Sequence, residues 1–190
     1  MLKKMSVFIA DKLITSGFDP DQREIIAYGA ECTLSELLAN IILILVAYLL
    51  HLLPVTLIWL VFFTALRVQV GGYHAANHTL CILESTIIGI VCSYFSTLLT
   101  YSLTMICGFL LIIFFVILKY APAVHPNHPI SVTYQRKLLR RSLIVFAIEA
   151  LLTIMSFMIF PPVYATVMMN SIFSCVFLMI LGLIGTKNIR

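Results

Sequence analysis

Six long apolar runs constrain this chain more than any other feature. They fall at roughly residues 34–53, 54–67, 79–98, 102–119, 142–160 and 163–184. Most approach the ~20 residues a helix needs to cross a bilayer core. Lipid offers no hydrogen bonds to a bare backbone, so such runs must satisfy their own polar groups as helices. The second run, opening at Pro54 and containing Trp59, is short; it either spans with local thinning or re-enters the bilayer. Composition agrees. The chain is 62% apolar and 11% charged, with a mean hydropathy of +1.08, whereas a soluble domain carries ~25% charged residues. The expectation is one all-α integral membrane domain over residues 1–190.

Basic residues set the orientation. Lys3, Lys4, Lys12 and Arg23 precede the first run, Arg67 closes the second, and Lys119, Arg136, Lys137, Arg140 and Arg141 fill the 119–141 loop. Lys187 and Arg190 follow the last run. The alternate junctions, His51–Pro54, Leu98–Ser102 and Phe160–Val163, hold no Lys, Arg, Asp or Glu. Both termini are therefore expected in the cytoplasm, with the region around His74 and Cys81 on the same side. The start does not read as a cleavable signal, because Asp11 and Lys12 interrupt an already short apolar run. Residues 1–18 instead read as an amphipathic segment, its helix over 2–16 lying on the membrane surface. The formal charge of +4 is a topology signal. No aromatic-interleaved basic patch exists, so nucleic acid is not an expected partner.

The 119–141 loop begins with three prolines in eight residues, Pro122, Pro126 and Pro129. It must be extended or turn-rich, since each proline removes a donor and restricts its predecessor. A basic helix start at headgroup level follows from Tyr134. It suits contact with anionic lipid or with an acidic peptide.

Chemistry is concentrated between the second and third runs, where Arg67, Gly71-Gly72, His74, His78, Cys81, Glu84 and Ser85 lie close together. Ionisable groups at the edge of a bilayer are costly unless paired or functional. A thiol, an imidazole and a carboxylate are what nucleophilic acyl transfer requires. On one continuous helix His74 and Cys81 would stand ~10 Å apart along the axis, too far for proton transfer. The tandem glycine lets the chain leave helical geometry, so His74 can ride a loop back over the next helix. Asn77 or Thr79 can cap that helix. Cys81 then falls in or just after its first turn, where the dipole and free N–H groups lower a thiol pKa and can hold an oxyanion. Spacing leaves the base open: His78, three residues before Cys81, is its neighbour on a helix, and a membrane-edge Cys beside interfacial histidines with no chemistry is also consistent. A zinc protease is not expected, because an HExxH site needs Glu after the first His and this chain has Ala75. The five Cys show no metal spacing, and a disulfide framework is not expected either; Cys92, Cys107 and Cys175 read as small core residues. No cofactor is implied.

The block Arg67, Gly72, His74, Cys81, Glu84-Ser85 resembles the AgrB (accessory gene regulator B) family, membrane cysteine peptidases that process the precursor of a cyclic autoinducing peptide in quorum sensing. Tyr28-Gly29-Ala30-Glu31 is similar to the family's N-terminal signature, and Tyr120-Ala-Pro122-Ala123 with Pro129-Ile130 to its central loop. The chain departs in having His125-Pro-Asn-His128 where some members carry a Lys-rich run, which bears on substrate selectivity. The resemblance implies Cys81 as nucleophile and His74, which holds the family position, as base. It implies an AgrD-like precursor as partner, removal of its C-terminal tail through an acyl-thioester, thiolactone or lactone closure, a homodimer, and a cell-membrane thiol protease whose active site faces the cytoplasm. Glu31 is the expected third catalytic group, accepting the His74 ring N–H, though a structural pair with Arg67 is equally consistent. Arg67, Gly72, Glu84 and Ser85 are expected to support the site or bind substrate, with Glu84 placed to pair with Arg67. Two other classes remain: a non-enzymatic peptide transporter, which would need polar residues in several spans where the last three show almost none, and a structural membrane subunit.

Overall fold

The computed structural model describes residues 2–72, 78–123 and 131–187. The described residues form seven α-helices: α1 (Leu2–Thr15), α2 (Arg23–Leu49), α3 (Leu53–Val70), α4 (His78–Leu98), α5 (Leu103–Tyr120), α6 (Val132–Ile159) and α7 (Pro162–Lys187). All but α1 contain a stretch long and apolar enough to cross a membrane. The short second run is settled as an unbroken helix, α3, of 18 residues, about 27 Å at ~1.5 Å per residue. The α3–α4 and α5–α6 junctions meet at one end of the bundle, where Gly71 pairs with Ala123, and the α4–α5 junction meets the start of α7 at the other, where Tyr101 N–H donates to Thr166 Oγ1 at 3.3 Å.

The boundaries follow from local chemistry. Pro54 occupies the first turn of α3, where its missing N–H is not needed. Ser102 and Ser131 cap α5 and α6, their hydroxyls accepting from the N–H groups of Met105 and Tyr134 at 3.3 Å. Pro161 and Pro162 separate α6 from α7. Two helices start well before their apolar runs: α2 at Arg23 and α6 at Val132, so Glu31, Glu36 and the basic Arg136–Arg141 stretch are all helical.

The N-terminal amphipathic helix is present, and it packs against α2. Ser6 and Ala10 are buried, Phe8 is exposed, and Arg23 Nε donates to Asp11 Oδ1 at 2.7 Å across the hairpin.

The centre of the bundle is α7. Half of its span is buried, against a third or less of any other, and it packs against α3, α4, α5 and α6. One apolar cluster joins α3, α5, α6 and α7 around Leu66, Ile106, Ile117 and Met169; a second joins α2, α3 and α7 around Leu43, Trp59 and Val167. Gly89 of α4 fits closely among them, since a Cβ there would lie 2.8 Å from Leu43 Cδ1 and 3.0 Å from Trp59 Cζ3. Such close approach is what small residues allow between membrane helices.

The interior is more polar than the sequence reading allowed for the last three spans. Thr166, Ser171 and Ser174 of α7 are buried, as are Ser142, Glu149, Thr153 and Ser156 of α6. The Ser171 hydroxyl donates to the Trp59 carbonyl at 2.8 Å, and Asn170 Nδ2 donates to Ser96 Oγ at 2.8 Å. Tyr101 donates its hydroxyl to Asn170 Oδ1 at 2.8 Å. These groups join helices α3, α4 and α7 by hydrogen bonds, which lipid cannot supply. Glu149 is buried with neither carboxyl oxygen hydrogen-bonded. Cys175 is a core residue, whereas Cys107 is exposed on α5 and corrects the expectation that it packs inside.

Candidate active site

The site is built where α3 ends and α4 begins. α3 stops because Gly71 and Gly72 take φ of +68° and +139°, values that L side chains avoid. The need for glycine at 72 is steric as well. A Cβ there would overlap Arg67 Nη1 and sit 2.9 Å from both Arg67 Cζ and the Leu178 carbonyl oxygen of α7. The Arg67 side chain thus passes directly beneath the turn, where Nη1 donates to the Gly71 carbonyl at 2.6 Å. That carbonyl has left the helix ladder, and a charged donor satisfies it well.

The turn is also held from a distant part of the chain. Ala123, just beyond α5, donates its N–H to the Val70 carbonyl at 2.8 Å, and Gly71 and Ala123 pair in parallel β fashion.

Cys81 is the fourth residue of α4 and is partly buried. It belongs to the first turn, where the helix dipole favours an anion. Arg67, itself partly buried, adds a full positive charge: its guanidinium is in electrostatic range of Cys81, and of Cys175 and Glu36 as well. Both place positive potential near the Cys81 sulfur. Glu84, one turn on from Cys81, is partly buried; among the described residues no ion pair joins it to Arg67. Ser85 donates its hydroxyl to the Cys81 carbonyl at 2.7 Å and to the Ile82 carbonyl at 3.1 Å. That hydroxyl therefore serves the backbone of the first turn.

Glu31 is partly buried on α2 and in electrostatic range of Tyr28, which also interacts with Cys32, and α2 packs against α4. His74 and Asn77 lie outside the described residues, and His78 opens α4. The structure thus brings Arg67, Gly72 and Cys81 together. Sequence reading missed two participants: Glu36, the carboxylate in range of Arg67, and Ala123. All five cysteines are free thiols, and among the described residues no group of three or more His, Cys, Asp or Glu is placed to hold a metal.

A six-span helical bundle with a thiol at a helix start, an arginine beneath a Gly-Gly turn and carboxylates on the adjoining helix defines a class: polytopic membrane proteins with a thiol site at one end of the bundle. The family description accessory gene regulator B matches residues 3–184, and the chain belongs to that family. Two AgrB-like proteins of Clostridium perfringens are similar to it. One, from strain SM101 (type A), is 27% identical over 84% of this chain and 79% of its own. The other, from strain 13 (type A), is 25% identical over 100% of this chain and 96% of its own. No solved structure matches. Membership ties this membrane protein to the processing of an autoinducing peptide in quorum sensing, with an AgrD-like precursor as its partner.

Proposed function

We propose that the protein is a cysteine endopeptidase and cyclase, with Cys81 as nucleophile, His74 as general base and acid, and Glu31 as the group that orients His74. The Cys81 thiolate attacks the carbonyl carbon of the bond preceding the precursor's C-terminal tail. The C–N bond breaks, the tail leaves as an amine carrying the proton from the His74 imidazolium, and an acyl-thioester remains on Cys81. A Cys or Ser of the precursor then gives its proton to neutral His74 and attacks the same carbonyl. Cys81 leaves as thiolate, and the ring closes as a thiolactone or lactone. Exchange of one thioester for another is nearly isoenergetic, so a site that admits the substrate thiol and excludes water keeps the product cyclic.

The observation that carries this reading is the position of Cys81 in the first turn of α4 with the Arg67 guanidinium in electrostatic range. The start of a helix, with its positive dipole end, suits a developing oxyanion. The unevenly placed basic residues support a cytoplasmic site with both chain ends on that side. The decisive experiment is tail release from a precursor in inverted vesicles. Cys81→Ala and Cys81→Ser should abolish it, whereas Ala at Cys32, Cys92, Cys107 or Cys175 should leave it. Tail release by Cys81→Ala protein would sink the mechanism.

A further inference from the structure

We infer that the segment Ala121–Ala123, which follows α5, is a positioning element of the Cys81 site, fixing the Val70–Gly72 turn from which the chain runs to His74. The inference rests on the proposed roles of Cys81 and His74.

A Gly-Gly turn is the least self-determined piece of backbone a chain can contain. Both residues gain wide conformational freedom when released, so the turn keeps one shape only if outside contacts hold it. Among the described residues two such contacts are local, both from Arg67: its carbonyl accepts from Gly71 N–H at 3.1 Å, and its guanidinium donates to Gly71 O at 2.6 Å. The third comes from 53 residues further along the chain than Val70. Ala123 N–H donates to Val70 O at 2.8 Å, taking one of the carbonyls that the end of α3 leaves without a helical partner. The contact is close enough that a Cβ on Gly71 would lie 2.7 Å from the Ala123 carbonyl oxygen.

The segment is tied at both of its ends. Ala121 N–H still donates to Ile117 O of α5 at 3.0 Å, while Ala123 binds α3. Pro122 between them has its φ fixed by its ring. Three residues thus make a stiff link from the end of α5 to the turn. His74 follows Gly72 by two residues in the sequence, so the turn sets where the chain leaves for the proposed base. Proton transfer needs heavy atoms ~2.6–3.2 Å apart, and a displacement of about 1 Å can cost about 10²-fold in rate. A segment with no acid, base or nucleophile of its own therefore governs the chemistry through one backbone N–H.

The test uses the full-length protein in lipid nanodiscs and needs two readouts. The first is the pH dependence of iodoacetamide alkylation at Cys81, followed by peptide mass spectrometry, which requires no precursor. The second is tail release. The alkylation profile of the native protein is the reference. Ala123→Pro removes the donor, and Gly71→Ala forces the Gly71 and Ala123 backbones apart. Both should shift the alkylation profile away from that reference and lower tail release at least ~10-fold. Ala123→Ser keeps the N–H and should stay within about twofold of the native protein on both measures. Native behaviour of Ala123→Pro or Gly71→Ala overturns the inference. So does loss of tail release with an unchanged alkylation profile, which would make the segment a substrate contact instead. Should Ala123→Pro fail to fold, Pro122→Gly, which loosens the link and keeps the Ala123 N–H, takes its place, and native behaviour of it on both measures overturns the inference. Tail release by Cys81→Ala protein would remove the catalytic reading and this inference with it, whereas a native-like Ala123→Pro removes the positioning role alone.

Discussion

The strongest single test of the site's geometry is Gly72→Ala. A methyl group at this position meets three obstacles. The backbone φ is +139°, where an L residue is strained by about 1–3 kcal/mol. The new Cβ overlaps Arg67 Nη1, so the guanidinium must leave its 2.6 Å hydrogen bond to Gly71 O, and a bond to a charged donor is worth about 1.5–3 kcal/mol. Retreat in the other direction is closed by the Leu178 carbonyl oxygen, 2.9 Å from the same Cβ. The first two costs together reach about 2.5–6 kcal/mol if both are borne in full. Gly72 itself belongs to neither apolar cluster, so most of this cost should fall on the competent arrangement of the turn and little on the bundle. At ~1.4 kcal/mol per tenfold, the population able to react should drop about 10²–10⁴-fold. Tail release in vesicles should fall by that factor while the protein inserts and unfolds near its normal temperature. Gly108→Ala is the control: a Cβ there meets nothing within 4 Å, and Ala in place of Gly in a helix interior favours the fold by ~0.5–1 kcal/mol. Gly72→Ala activity within about threefold of native would refute the picture of Arg67 locked beneath the turn.

His74→Ala should lower tail release ~10²–10⁴-fold, the usual worth of a general base, and His78→Ala much less; the opposite ranking would hand the role to the i, i+3 neighbour of Cys81. Glu31→Gln, which keeps an acceptor for the imidazole, should retain part of the activity, and Glu31→Ala should lose most of it without loss of protein. Native activity in Glu31→Ala would take Glu31 out of the site. For orientation, Asn127→Cys should escape a membrane-impermeant thiol label in intact cells and react in inverted vesicles; labelling in intact cells reverses the topology.

Hydropathy made the six spans readable, because a run of apolar residues in lipid has few structures open to it. It misjudged the ends. α2 starts eleven residues before its apolar run and α6 ten residues before, since a helix leaving the hydrocarbon continues through charged sequence at no cost to its hydrogen bonds. It also undervalued α7. Ser, Thr and Asn lower mean hydropathy only slightly, yet Ser171 and Asn170 make the bonds that join α7 to α3 and α4. At the site, the tandem glycine announced a turn, and a first-turn position for Cys81 followed from it. What crowds that turn was not legible. Arg67 is four residues from Gly71, but its path under Gly72 depends on α7 closing the other side through Leu178 O. The Ala123 contact with Val70 spans 53 residues of sequence with no side-chain chemistry to advertise it. Glu36 stands five residues after Glu31, on a different face of α2, and no neighbour in the sequence marks it as a partner for Arg67.

These misses share a cause, and it bears on the mechanism. Nucleophile and base can be recognised by residue type, since few side chains can do that chemistry. The parts that keep them in register are backbone groups and shapes, which leave almost no trace in composition. A cyclase depends on register more than a hydrolase does. Water can reach an acyl-thioester from any open direction, whereas the substrate's own thiol or hydroxyl must arrive along one. Discrimination between the two must come from holding the thioester and its base in a fixed relation while the approach of solvent is limited. The clamps on the Gly-Gly turn, Arg67 from within α3 and Ala123 from beyond α5, suit that demand. Loosening either should therefore lower the share of cyclic product before it abolishes cleavage, because hydrolysis tolerates a misplacement that ring closure does not.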